Sequence, residues 1–305
     1  MNAHVIESIR KSAAVPSIPQ VVTRFLEVIQ DPNFRYEEVV KVLSADAGTV
    51  SEILRLANSA LFGLPREVTS LRQALTLLGP KRTRSLVLGR CLVDRMNDYP
   101  TGRLDKTYFW RRSLVGSVLS ARLADAVAPD LREEAFVAGL LADIGVAILA
   151  NALSEQYEPI AGEYRPKGRY IGEDEERECV GVTHAEVSAM VLSSWGLPET
   201  ICTAVNLQQS FTIQPTEPAH RIARILNSAD RVAKLLCEIP DEEQVALTCG
   251  EATAFIGVDL QALAGILEDI ETDVRELALI LRTDVIPSSV YARIAKVIQQ
   301  QLLPA

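Results

Sequence analysis

Apolar residues recur at helical spacing along most of the chain. Val21, Val22, Phe25, Leu26, Val28 and Ile29 form one such stripe and stop at Asp31-Pro32. Ser17 and Gln20 stand three apart in front of it, the pattern of a capping box. Short helices are expected over Tyr36–Leu43 and from about Asp46 to Ala60, the second ended by Gly63 and Pro65. Ser70 then caps Leu71, Ala74, Leu75 and Leu78, Gly79-Pro80 breaks the run, and a helix follows from Lys81 to about Arg95. Helix, glycine turn, helix is the outline of a helix-turn-helix, and also the commonest join between any two helices.

Asp98 to Gly102 reads as a boundary. Beyond it a long helix is expected over Asp105–Val127, ending before Pro129. Ala135 to Ala150 is apolar on all sides, which marks a central buried helix. Asp143 sits in its middle and the run has 16 residues, which argues against a membrane span. Arg165 to Glu178 is polar, with acids at 173–176 and 178, and reads as a solvated loop. Helices resume over His184–Trp195, Pro198–Gln208 and Pro218–Cys237, with three more between Asp241 and Leu303. Strand alternation and internal repeats are lacking, so the fold class is all-α, a multi-helix bundle.

Composition sharpens this. Of the 305 residues 48% are hydrophobic, enough to bury a sizeable core, and Gly and Pro are too sparse for a turn-dense β chain. The formal charge of −9 excludes a uniformly basic nucleic-acid binder. Five cysteines without a CxxC pair fit neither structural zinc nor a disulfide framework, and a cytoplasmic setting is expected. Met1 to Gln20 has no apolar h-region, so neither a secretory signal nor a membrane partner is expected.

Several runs carry a family likeness. Ile18-Pro-Gln-Val-Val22, Leu54-Arg-Leu-Ala-Asn-Ser-Ala-Leu-Phe-Gly63 and Ala74-Leu-Thr-Leu-Leu-Gly79 resemble the N-terminal signatures of the HDOD domain. Gly139-Leu-Leu-Ala-Asp-Ile-Gly145, His184-Ala-Glu-Val187 and Leu192-Ser-Ser-Trp-Gly-Leu-Pro198 resemble its later blocks, in the same order. The resemblance covers about residues 13 to 238. It implies an HD-like helical bundle in bacterial signal transduction. The expected divisions are an N-terminal helical subdomain over 1–98, an HD-like subdomain over 103–238 and a helical extension over 239–305.

HD phosphohydrolases hold a divalent metal with imidazoles and carboxylates and leave a position open for water, whose pKa the ion lowers. The present chain has three histidines (4, 184 and 220) and no His-Asp dipeptide. By the resemblance, the dipeptide's place is taken by Ala142-Asp143 and the first histidine's by Arg112. His184 matches a retained histidine, Gln208 and Gln209 stand where relatives have paired histidines, and Asp230 matches the last aspartate. The set reads as a degenerate metal site. No catalytic residue, metal or cofactor is expected.

A lone carboxylate on an apolar helix needs a partner. Arg112 or His184 is expected to pair with Asp143, with Asp230 sharing the network; otherwise Arg112 reaches solvent and Asp143 bonds backbone or water. Trp110 and Trp195 read as packing anchors, Cys91, Cys202 and Cys237 as core, and His220 as a capping or surface residue.

The leading expectation is a non-catalytic module that binds another signalling protein. A second is nucleic-acid binding through residues 66–95. Between Arg66 and Arg90 six basic residues stand against Glu67: Arg66, Arg72, Lys81, Arg82, Arg84 and Arg90. A third is a sensor of cyclic dinucleotides or nucleotides in the old cleft, or a residual metal-dependent phosphohydrolase.

Overall fold

The structure is a computed structural model. It describes residues 20–31, 33–44, 47–59, 66–97, 99–102, 104–168, 172–238, 241–281 and 286–302, with 6, 7, 9, 15, 17 and 64. Among these the regular structure is helical and no strand is present, so the chain is all-α. The helices are α1 Gln20–Gln30, α2 Tyr36–Leu43, α3 Ala47–Ala57, α4 Leu71–Asn97, α5 Lys106–Val127, α6 Arg132–Leu141, α7 Ile144–Ala152 and α8 Glu158–Ala161. They continue as α9 Glu173–Val180, α10 His184–Ser194, α11 Glu199–Asn206, α12 Pro218–Cys237, α13 Glu242–Ile256, α14 Leu260–Leu281 and α15 Ser288–Leu302.

The chain divides into two compact units: residues 16–99 with 275–283, and residues 1–15, 100–274 and 284–305. In the smaller unit α1 buries Val22, Phe25, Leu26 and Ile29, the stripe that its spacing predicts. Asn58, in the Leu-Arg-Leu-Ala-Asn-Ser-Ala run, has a structural task. Its Nδ2 donates to the Val68 carbonyl at 2.9 Å and its Oδ1 accepts from Val68 N at 2.8 Å, tying down the segment ahead of α4.

The expected break at Gly79-Pro80 is present as a kink between two helical stretches. α4 runs from 71 to 97 with one non-helical residue, Gly79, at φ 75°. A left-handed glycine followed by Pro80 bends the rod without inserting the turn of three or four residues that a DNA-reading motif uses. Arg72 is exposed and paired with Glu37 at 2.8 Å. Arg84 is half-buried, while the side chains of Lys81, Arg82, Arg90 and Cys91 lie outside the described residues. Ser17 is exposed and α1 begins at Gln20, with Ile18 and Pro19 outside the described residues.

In the larger unit α5 is buried on nearly every face, capped by Asp105, which accepts from Tyr108 N at 3.0 Å. α6 and α12 pack along it. The apolar run 135–150 is two helices, α6 and α7, with Ala142-Asp143 between them. Periodicity could not reveal this break, because both halves are apolar all round. The stretch Pro129–Ala152 is apolar enough to cross a membrane by composition, but 83% of its most apolar window is buried. Segment 173–180, read as loop, is α9. Its four leading acids sit in the first turn, where the helix dipole favours negative charge, and Glu176 faces inward with Val180 four residues on. Trp110 and Trp195 are buried as anchors. Cys237 is core, with its thiol pushed up to about 12 by burial; Cys202 is only half-buried, and burial takes its thiol to about 11.

Candidate functional site

The break between α6 and α7 places Asp143 at the start of α7, where it is 9% exposed. Gly145 lets α10 lie against this point. A Cβ there would stand 2.1 Å from the His184 carbonyl oxygen, and Gly145 N donates instead to Ser188 Oγ at 2.8 Å. His184 opens α10 under a capping box formed by Thr183 and Glu186. Its Nε2 consequently lies 3.5 Å from Asp143 Oδ1.

The other face of the imidazole is held from a different element. His184 Nδ1 donates to Glu176 Oε2 at 2.9 Å, and Tyr157 Oη donates to Glu176 Oε1 at 2.6 Å. Burial opposes a charged imidazolium, but the Glu176 carboxylate outweighs it and lifts His184 to about 9. Burial likewise opposes the Glu176 anion, and the His184 charge and hydrogen bonds hold that carboxyl below its usual range.

Arg112 makes a second network. From α5 its Nε donates to Asp230 Oδ1 at 2.8 Å and its Nη2 to Asp230 Oδ2 at 2.7 Å. The third nitrogen, Nη1, lies 3.4 Å from Glu163 Oε1. The guanidinium also sits over the Tyr164 ring, 4.7 Å from its centroid. Lys234 Nζ approaches Glu163 at 3.8 Å. Burial works against the Asp230 anion, yet Arg112 pulls its carboxyl down. Asp143 goes the other way: burial, then the Asp230 charge, push it up, with His184 and Arg112 pulling against them.

The expected partner of Asp143 is thus half revised. His184 stands beside it, whereas Arg112 neither reaches solvent nor pairs with Asp143, but forks onto Asp230. A planar guanidinium matches both oxygens of one carboxylate, and Asp230 on α12 faces Arg112 squarely.

Gln208 and Gln209 sit in the turn after α11. Gln208 Nε2 donates to the Ala142 carbonyl at 3.0 Å, and Gln209 Nε2 lies 3.4 Å from His184 Nε2. So Arg112, Ala142, Asp143, His184, Gln208, Gln209 and Asp230 all converge. His220 is elsewhere engaged, its Nδ1 being 3.1 Å from Thr216 Oγ1. An open cleft of about 720 Å³ leads to the centre, walled by Tyr164, Phe211, Leu226, Phe255, Arg231 and Glu251 among others.

Sequence reasoning missed Glu163, Tyr157, Tyr164 and Glu176. Only Glu176 left a signal, standing four residues before Val180 on the one inward face of an acidic segment.

The HDOD domain model matches residues 15–211. The chain belongs to the HDOD family. A protein of Treponema pallidum (strain Nichols), of uncharacterised function, is 22% identical over 237 residues, which are 75% of this chain and 45% of that protein. The chain thus spans under half the length of that curated relative. Among solved structures, a provisionally assigned phosphohydrolase of Shewanella amazonensis SB2B is 24% identical, with a TM-score of 0.70 over 92% of this chain and 98% of that one. An HDOD protein of unknown function from Geobacter sulfurreducens is 20% identical, with a TM-score of 0.66 over 96% of each chain. These likenesses show that this HDOD chain has the HD-like fold.

Proposed function

We propose that this HDOD chain is a non-catalytic signal-transduction module that works by binding another signalling protein in the cytoplasm. One observation carries the reading. Arg112 stands where the family resemblance places a histidine, and its guanidinium takes both oxygens of Asp230, the carboxylate that would otherwise face a metal.

The fold family implies a divalent ion, and the donors here do not suit one. Asp230 is committed to a cation that would repel a metal. His184 supplies a single imidazole, locked between Glu176 and Asp143, and the neighbouring side chains are the amides of Gln208 and Gln209. Among the described residues no group of three or more His, Cys, Asp or Glu side chains is gathered as ligands would be. The network is read as a polar core that keeps the ancestral helices in place and leaves the surface to do the binding.

The full-length protein, supplied with manganese, magnesium or ferrous iron, is expected to leave bis(p-nitrophenyl) phosphate and cyclic dinucleotides uncleaved. Metal-dependent turnover that Asp143→Asn abolishes would overturn the proposal. The binding role is tested by cross-linking in the native host, where a discrete partner complex is expected; a chain that remains unattached to any protein would contradict it. The basic-segment reading receives less support, since Arg72 is already paired with Glu37 and α4 bends at a single residue.

A further inference from the structure

The old cleft has a hydrogen-bonding polarity of its own. The two arginines that line it are paired. The Arg112 nitrogens face Asp230 and Glu163, and Arg231 is paired with Glu251. Its acceptors are not all spent. Gln208 is 5% exposed, and its Nε2 donates to the Ala142 carbonyl, which fixes the amide and leaves Oε1 to the cleft wall, where Gln209 Oε1 and Asn227 Oδ1 are buried with no hydrogen-bond partner among the described residues. Asp143 lines the same wall and, among the described residues, has the 3.5 Å approach of His184 as its one ion pair. The surrounding charge points the same way: Asp143, Glu163, Glu176 and Asp230 face Arg112, Lys234 and His184, an excess of acid even with His184 counted as charged. The wall also carries apolar surface: Phe211 is 55% exposed, its ring centroid 5.8 Å from the Arg231 guanidinium that Glu251 pairs, and Leu226 is buried.

A wall of acceptors with excess negative charge disfavours a phosphate, which brings mainly acceptors and negative charge of its own. It suits a donor-rich cation on an apolar stem. We propose that the cleft receives an alkyl guanidinium or alkylammonium group, its head donating to Asp143 and Gln208 and its stem lying along Phe211 and Leu226. Such a group can come from an arginine or lysine side chain of a partner or from a free amine. The proposal rests on the non-catalytic reading of the same cleft.

Butylguanidinium and butylammonium are titrated into the full-length protein by calorimetry and by ¹H–¹⁵N chemical shifts, beside inorganic phosphate and adenosine monophosphate. The cations are expected to bind with Kd on the order of 1 mM or tighter. Binding should weaken about tenfold in Asp143→Asn, a loss of about 1.4 kcal/mol. It should also weaken severalfold in Phe211→Ala, a rim change that leaves the ion pairs intact. A Gly-Gly-Arg-Gly-Gly peptide that binds more tightly than butylguanidinium assigns the site to a protein side chain; equal affinity assigns it to a free amine. Phosphate binding more tightly than either cation, manganese displacing them through Asp143, or affinity unchanged in both variants would overturn the proposal. Metal-dependent turnover would defeat the non-catalytic reading on its own, whereas absent cation binding without turnover would defeat only this inference.

Discussion

Arg112 on α5 and Asp230 on α12 form a two-pronged ion pair, Nε to Oδ1 at 2.8 Å and Nη2 to Oδ2 at 2.7 Å, across 118 positions of chain. The pair joins two of the most extensively packed helices of the larger unit. The Arg112 side chain is 4% exposed and that of Asp230 36% exposed. Removing the cation also takes from Glu163, whose side chain is 6% exposed, its 3.4 Å ion-pair partner and leaves it Lys234 at 3.8 Å. Arg112→Leu is therefore expected to destabilise the fold by about 3 kcal/mol, the lower end for a broken buried pair because Asp230 keeps some water. Urea unfolding checks this. Asp230→Asn, which keeps the shape and one hydrogen bond, should cost less.

The His184–Glu176 pair predicts a pH dependence. His184 rises from an ordinary 6.5 to about 9 in the fold, so its stabilisation is full below about 6.5 and is lost as pH climbs through about 9. That limb amounts to about 3 kcal/mol. Glu176 is held low, so its contribution is present above its ordinary range near 4.5 and is lost on acidification. Melting temperature should fall between about pH 6.5 and 9, and His184→Gln should flatten that limb. An alkaline limb unchanged in the variant would refute the assignment.

Gly145 should tolerate no side chain. In Gly145→Ala the methyl would collide with the His184 backbone, part of an element that cannot swing aside. A cost of about 3 kcal/mol is expected, at the upper end for overpacking. Ser188→Ala, which only removes the acceptor of Gly145 N, should cost about 1–2 kcal/mol. Parallel denaturation curves would show whether the two differ as stated.

Arg122 and Asp273 tie α5 to α14, with Asp273 1% exposed. Nε donates to Oδ2 at 2.8 Å, and Nη2 donates to the same oxygen. Asp273→Ala should destabilise the larger unit by about 3 kcal/mol. Protease cleavage within the last helices should become faster; resistance equal to wild type would count against a structural role for this pair.

Chelation should change nothing. Dialysis against EDTA is expected to leave melting temperature within about 1 °C, because the proposed polar core closes without an ion. A drop that manganese restores would show that an ion is part of the fold.

Much of the candidate site was legible. Asp143, His184, Asp230 and the two glutamines are all placed by family motifs; four of them line the cleft, and His184 stands beside Asp143 and Gln209. Glu163 and Tyr164 were not legible. They lie in turns after α8, where no periodicity marks an inward side, and their burial depends on Arg112 arriving from α5. Glu176 was hidden differently, since five neighbouring acids read as a solvated run while only one of them turns inward.

Apolar spacing, caps and helix-ending residues are local, so the chain's letters alone could determine its helical class, nearly all of its helices and its family. Which carboxylate takes the guanidinium was decided only by the folded molecule. Arg112 had both Asp143 and Asp230 as candidates, and choosing between them depends on distances across helices far apart in the chain. Coulomb attraction and bidentate geometry act through space over a few ångströms, and no spacing along the chain records that separation.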